Sequence, residues 1–451
     1  MQVTLIRPDM GHPADRLGVD ESRMEPLQLA VLAALTPPDV EVALVDDRID
    51  RIPYDRPTDL VGITVETFTA RRAYQIAAEY RGRGVKVVMG GFHATLAPEE
   101  VAEHADAVYS GDAEGGWAEV LADAAAGRLR PRYDFPTGVG QGGVLPRREL
   151  FRGKDYLPLT LVQFSRGCPH GCHFCAIGAF FGQRVHTRPV AEVVAELEAA
   201  RPRFVFFVDD NIVADRAAAK ELFRALIPLK LRWVSQASTD MTEDGELMEL
   251  MARSGCLGHV IGFESLDPAT LRGMGKQVNL AAGAGYRRAI EVLRDHGLQT
   301  WAAFTVGHDE DTVDSVRALV DFALAQKFTF AAFNTLVPYP GTPLYRRLAR
   351  EGRLLLGGRW WLHPDFRFNH ATFVPARMTP EQLTEVAWEA RARFASLGSR
   401  VRRFLEPRTN MRTPLRMALY WGYNGLFRRE LVRKQGMTLG IQDGAGPGRA
   451  L

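Results

Sequence analysis

Apolar and polar positions alternate along this chain in two registers. In the first 135 residues, short β-branched runs at 3–6, 40–45, 60–65, 85–89 and 107–109 are separated by stretches of helical spacing at 26–35, 70–83 and 98–104, with another helix opening near Trp117. Period-2 runs interleaved with period-3.6 segments predict βαβ units, hence a parallel sheet with helices on both faces. From about 130 to 157 the periodicity fades among Pro131, Pro136, Pro146 and several glycines, which predicts a crossing segment. A second series follows: strands at 159–164, 204–208, 231–235, 259–263, 300–306 and 330–337, with helices at 190–200, 217–227, 245–253, 286–296 and 313–325. Six such units are too few to close an eight-fold barrel, so an open partial barrel is expected.

Beyond the turn Pro338-Tyr339-Pro340-Gly341-Thr342-Pro343 the pattern becomes helical and irregular, with a helix expected over 380–397. The expected fold class is α/β: a Rossmann-like doubly wound sheet at 1–135, a linker at 136–157, a partial (β/α)6 barrel at 158–345 and a mainly helical region at 346–451. Thr413-Pro414 is a good N-cap and first-turn pair, followed by Leu415, Met417, Leu419, Tyr420, Trp421, Tyr423, Leu426 and Phe427 amid many arginines. Such a segment either packs its apolar face on the barrel or lies as a peripheral contact on an anionic membrane.

Composition narrows the function. Hydrophobic content of 46%, charge of 24% and a net charge of +2 over 451 residues describe a globular protein without the broad basic excess of a nucleic-acid binder. No apolar run approaches the roughly 20 residues of a membrane span, and the N-terminus lacks a signal-peptide pattern, so a cytoplasmic location is expected. Three of the four cysteines fall within Cys168-Pro169-His170-Gly171-Cys172-His173-Phe174-Cys175. That clustering indicates metal or redox chemistry rather than a disulfide framework. Three thiolates at this spacing suit three irons of a 4Fe–4S cluster, leaving one iron without a protein ligand. The competing assignment is a structural zinc site completed by His170 or His173. Cys256 is expected to be a small buried residue.

Ligands of parallel sheets sit at the carboxyl ends of strands. In the first sheet those ends carry Thr64, Glu66 and Thr67, then Gly90, Gly91, His93 and Thr95, then Gly111 and Asp112. Glycine there serves either turn chemistry or the close approach of a ligand.

Cys168, Cys172 and Cys175, with Phe174 before the last, resemble the signature of radical S-adenosylmethionine (SAM) enzymes. The glycine-rich first sheet and the 338–343 turn are similar to the cobalamin-dependent branch of that family, which includes C-methyltransferases and an anaerobic cyclase. The resemblance implies that SAM binds the open iron, with Asp209, Asp210 and Asn211 at its amino group. Gly262, Glu264 and Ser265 would stand at its ribose, and Ser238 and Gly307 on the rim. It implies cobalamin, as methylcobalamin, over the first sheet. No Asp-x-His-x-x-Gly run supplies a cobalt ligand, so His93 is a candidate only by position.

The activity implied is methylation of an unactivated carbon of a natural-product or lipid substrate, started by a 5′-deoxyadenosyl radical and using electrons from a flavodoxin or ferredoxin. A radical cyclase, dehydratase or rearrangement enzyme with auxiliary or absent cobalamin is the second expectation. A non-enzymatic, metal-stabilised binding module is the third.

Overall fold

The structure, a computed structural model, describes residues 1–11, 23–138, 142–281 and 285–441. Residues 139–141 of the expected linker and 442–451 of the expected helical region lie outside the described residues. The first sheet holds β1 (Gln2–Arg7), β2 (Glu41–Asp46), β3 (Leu60–Thr64), β4 (Lys86–Gly90), β5 (Ala107–Ser110) and β6 (Arg132–Asp134). All pairs are parallel, in the order β2-β1-β3-β4-β5-β6. The register sets Thr64 beside Gly90, so the polar strand ends share one edge. Both faces of these strands are covered, and Leu5, Val61 and Met89 are wholly buried. The sequence pattern shows no sixth strand, because three residues after Pro131 are too few to display alternation.

The second sheet comprises β7 (Thr160–Val162), β10 (Phe204–Phe207), β11 (Arg232–Ala237), β12 (Cys256–Glu264), β13 (Gln299–Val306) and β14 (Phe330–Thr335), all parallel and in sequential order. Its end strands β7 and β14 do not pair with each other, so the barrel is open. Between β7 and β10 the short antiparallel pair β8 (Ser165–Arg166) and β9 (His186–Thr187) brackets the cysteine loop. Phe207, Trp233, Phe263, Phe304 and Phe333 are fully buried among these strands and their helices. Each contributes about 2–3 kcal/mol of apolar burial. The crossing segment is docked rather than free: Phe151 and Tyr156, edge to face with each other, pack on the first domain's core, and Arg148 pairs with Glu196 at 2.6 Å.

The carboxy-terminal region closes what the barrel leaves open. Helix Pro380–Ala395 lies along the edge strand β14, and Arg391 Nε donates to the free carbonyl of Phe333 at 2.8 Å, occupying an edge that would otherwise invite pairing. Trp360, Phe366 and Phe368 return to the first domain and surround Phe68, and Trp361 packs on His93. The last helix, Pro414–Lys434, packs Tyr423 on Trp301 and Phe330, and Phe427 on Phe330. Of the two expectations for this segment, packing is what its aromatic face does, at the end of the strands remote from the cysteine loop. Among the described residues no helix is long and apolar enough to cross a membrane.

Arg403 is wholly buried at the same end, donating to the carbonyls of Phe328 and Thr329 at 2.9 Å and to Asn424 Oδ1 at 3.1 Å. Burial pulls it down to about 10. Arg403→Met leaves those carbonyls unpaired and is expected to cost about 3 kcal/mol. A clear fall in the thermal midpoint by calorimetry is the expected result, and an unchanged midpoint would contradict this account of the tail.

Candidate functional site

The chain leaves β7, turns through β8 and enters the cysteine loop, whose shape is held by neighbouring segments. The His173 N–H donates to the Met274 carbonyl at 2.9 Å, and the His173 carbonyl accepts from the Leu344 N–H at 2.9 Å. Cys175 is the N-cap of helix Ala176–Phe181. Its thiol faces the Gly178 and Ile177 N–H groups, which favour the thiolate. All three cysteines are free; Cys172 is buried, and Cys168 and Cys175 are half-buried. Burial pushes each thiol up, Cys172 to about 11.

One cation works against that. Lys276 lies within electrostatic reach of all three thiols, and its ammonium is 3.4 Å from Glu264 Oε1. Burial opposes the Lys276 charge, but Glu264 and the cysteines outweigh it and raise its pKa. A three-thiolate set around a buried ammonium fits an anionic cluster, whose binding takes protons from the thiols. His173 Nδ1 stands 3.0 Å from the Gly273 carbonyl, which fixes the ring's orientation.

The second-sheet candidates divide into those that face the site and those that build its walls. Asp209 is fully buried and accepts from Ser165 Oγ at 2.5 Å, Phe164 N–H at 3.1 Å and the Ser165 N–H. It staples β10 to the strand before the cysteine loop; its oxygens are committed, and burial pushes it up to about 7. The expectation that Asp209 meets the SAM amine is corrected accordingly. Its neighbour Asp210 accepts from the Gly167 N–H at 2.8 Å and lines the central cavity. Asn211 donates to Ser238 Oγ at 3.1 Å, and Ser238 donates to Asp240.

Glu264 ends β12 at a register shift, with φ at +64°, a costly backbone for a residue with a side chain. The bulge turns its carboxylate toward Lys276, and Thr305 Oγ1 donates to the other oxygen at 2.6 Å. Gly262 makes the room: a Cβ there would stand 2.3 Å from Glu264 Oε1. Two further candidates are occupied by their own loops. Ser265 Oγ accepts from the Asp267 N–H at 3.1 Å, and the Gly307 N–H donates to Asp311 at 2.8 Å.

The first-sheet strand ends and the segments on either side of the cysteine loop open on one cavity of about 430 Å³. Thr64, Glu66, Gly90, Gly91, Gly111 and Asp112 form one side, and Arg166, Asp210, Ile177, Phe180 and Phe181 the other. Gly111 owes its identity to the protein rather than to a ligand, since a Cβ there would lie 2.0 Å from the Phe135 carbonyl oxygen.

His93 is a clear correction. The ring is fully buried beneath the sheet edge, with Nδ1 3.2 Å from Thr67 Oγ1 and Nε2 3.1 Å from Glu100. Both nitrogens are engaged, so neither is free for cobalt. Glu100 also accepts from Tyr74 at 2.9 Å and Trp361 at 2.8 Å. Burial works against its charge, yet these donors hold it below the usual carboxylate range. Thr67 belongs to this network, and Thr95 Oγ1 accepts from the Gly111 N–H at 3.1 Å. Neither lines the cavity.

Three participants carry no motif. Arg166 pairs with Glu114 at 2.7 Å and Asp112 at 3.1 Å across the two domains. A charged residue two places before Cys168 was the only signal for it. Lys276 reaches the thiols only through the bulge at Glu264 and the short helix Pro268–Gly273. Tyr339, in the 338–343 turn, has Glu66 and Cys175 in its electrostatic surroundings, and burial raises its pKa.

Residues 162–323 match the family model of the radical SAM superfamily. The chain is 30% identical over 373 residues to bacteriochlorophyllide d C-12(1)-methyltransferase of Chlorobaculum tepidum, covering 80% of each chain. It is 26% identical to the hopanoid C-2 methylase of Rhodopseudomonas palustris, covering 78% of this chain and 68% of that one. The fold is similar to that of the radical SAM methyltransferase TsrM from Kitasatospora setae, with a TM-score of 0.61 at 22% identity over 78% of this chain and 76% of that one.

His93→Ala removes the partner of Thr67 and Glu100 and is expected to cost about 2 kcal/mol. The visible spectrum of corrinoid added to the protein is expected to match wild type. A spectral change at the cobalt axial position would restore His93 as a ligand.

Proposed function

Because this chain belongs to the cobalamin-dependent branch of the radical SAM superfamily, we propose that it is a C-methyltransferase that methylates an unactivated carbon of a natural-product or lipid substrate. One observation carries the reading: the polar strand ends of the first sheet share one cavity with the segments that flank the cysteine loop, Arg166 before it and helix Ala176–Phe181 after it. When bound, the 4Fe–4S cluster and SAM supply a 5′-deoxyadenosyl radical, and methylcobalamin supplies the methyl group.

The chain's own residues would do the following. Cys168, Cys172 and Cys175 hold the cluster, and Lys276 offsets its negative charge. Asp210, Asn211, Ser238 and Glu264 are the polar groups available to orient SAM. Thr64, Glu66 and Asp112 offer acceptors to the amide groups of a corrinoid, over the backbone of Gly90, Gly91 and Gly111. Phe92, Ile177, Phe180 and Phe181 form an apolar wall that excludes water and suits an apolar substrate. Phe92 stacks on Phe180 at 4.3 Å, which keeps that wall rigid.

The enzyme needs a reductant, and a flavodoxin or ferredoxin is the proposed donor, in a cytoplasm where thiols stay reduced. Leu415, Leu419 and Trp421 remain exposed on the last helix, at the end of the barrel remote from the cavity, so a peripheral membrane contact through them would anchor the enzyme rather than deliver its substrate. The non-enzymatic module falls with the family assignment.

The test is anaerobic reconstitution with cluster, methylcobalamin, a chemical reductant and SAM carrying a trideuterated methyl group, mixed with a lipid and pigment extract. The expected result is 5′-deoxyadenosine together with S-adenosylhomocysteine and a product heavier by one labelled methyl, all abolished in Cys172→Ala. Formation of 5′-deoxyadenosine with no labelled product would overturn methyl transfer and favour a radical cyclisation or rearrangement.

A further inference from the structure

A second cavity of about 430 Å³ lies at the opposite end of the barrel from the cysteine loop, where β11 and β12 begin. It is closed on one side by the loop and first turn of helix Pro414–Lys434. Its lining brings together Arg232, Arg253, His296, Arg412 and Arg416, and no Asp or Glu lines it. Among the described residues, Arg232, Arg412 and Arg416 have no carboxylate partner. Arg253 has one on the exposed helix surface, Glu249 at 3.5 Å.

Arg416 is the telling residue. It is only 8% exposed, yet its sole side-chain hydrogen bond runs from Nη1 to the Leu257 carbonyl at 2.7 Å. A guanidinium has five N–H donors, so most of its capacity faces the cavity unused. Burial, with Arg412 and Arg232 repelling it and Cys256 acting the other way, pulls it down to about 10.

The other two cations are placed by geometry that allows nothing bulky. Arg412 lies across Gly297, where a Cβ would fall 1.2 Å from its Nη1, and Arg232 Nη1 stays beside the Leu231 carbonyl at 3.1 Å. The helix start adds to the same field. Thr413 caps the Arg416 N–H at 3.3 Å, Pro414 has no N–H, and the first turn holds no acidic residue. Arg232, Arg253 and Arg412 form an exposed, solvated rim and Arg416 a nearly dry guanidinium at its base, so an anion entering the cavity meets several cations and no competing carboxylate. A planar guanidinium pairs bidentately with a phosphate oxygen pair, and two or more of them suit a dianion.

We propose that this cavity is a binding site for a phosphate monoester group, remote from the reaction centre. The group is carried either by a small phosphorylated metabolite or by a lipid headgroup, and the two sources are separable. In the full-length reconstituted protein, calorimetric titration with inorganic phosphate and with glycerol 3-phosphate, at constant ionic strength set by chloride, measures the first. Co-sedimentation with vesicles containing phosphatidic acid, against phosphatidylcholine alone, measures the second.

Saturable binding of the soluble phosphates, weakened at least 10-fold in Arg412→Gln and in Arg232→Gln, supports the site with a metabolite as its ligand. Binding confined to phosphatidic-acid vesicles and lost in the same variants supports it with a lipid headgroup. Both residues sit at the surface end of the barrel, and an unchanged circular dichroism spectrum verifies that the variants fold. No saturable binding of any of the three probes, or binding that both variants retain, overturns the proposal.

Discussion

The ion pair of Arg166 with Glu114 and Asp112 is what sets the two sheets against each other. Arg166 ends the first strand pair of the barrel domain, two residues before Cys168, and its carboxylate partners sit on the loop after β5. The pair is nearly dry, with Arg166 14% and Glu114 6% exposed in their side chains. Taking such charges out of water consumes most of what their attraction returns, so the pair adds little net stability and much orientation. Asp112 is tied further by the Gly138 N–H at 2.6 Å, which anchors the crossing segment to the same point. A parallel sheet exposes its ligand edge only at the carboxyl ends of its strands, so one rotation of one domain would separate the two halves of the cavity.

The carboxy-terminal region makes that arrangement durable. Phe68 of the first domain is surrounded by Tyr339, Trp360, Phe366 and Phe368, which belong to the chain after the barrel. Trp361 donates to Glu100, completing the polar knot that also holds His93 and Tyr74. The strap therefore runs from the last barrel strand back onto the first sheet. At the other end, Arg391, Arg403 and Arg416 donate to carbonyls at Phe333, at Phe328 and Thr329, and at Leu257. Those bonds use three arginines as structural donors, while Arg402, Arg408, Arg412, Arg428, Arg429 and Arg433 stay exposed.

Charge within the reaction centre follows the same economy of few groups in a dry space. Three thiols, Glu264 and Asp210 concentrate negative character; Lys276 is the cation that faces the thiols and Glu264, and Arg166 the one that faces Asp210. Its position depends on a strained residue: Glu264 takes a left-handed backbone at the end of β12, and Gly262 yields the space its carboxylate needs. Strain of this kind persists where the surroundings over-determine it.

What the residues alone determined is the periodic part. Alternating runs of period 2 and period 3.6 specify both parallel sheets, because such spacing buries its apolar face in only one way. The spacing of Cys168, Cys172 and Cys175 singles out its loop without the fold, because all three lie within eight consecutive residues. Thr64, Gly90 and Gly111 were legible as cavity residues for a related reason, since strand ends of a parallel sheet must face the ligand.

The rest waited on tertiary structure, because it depends on residues far apart in the chain. Asp209 reads like a ligand until Phe164 and Ser165 are seen to claim its oxygens. His93 reads like one until Thr67, Glu100 and Trp361 close around it. Arg166, Lys276 and the Arg232–Arg412–Arg416 cluster carry no local pattern, since a long-range charge arrangement leaves no periodic trace in sequence. Local periodicity is a property of neighbours, and electrostatic partnership is a property of the fold.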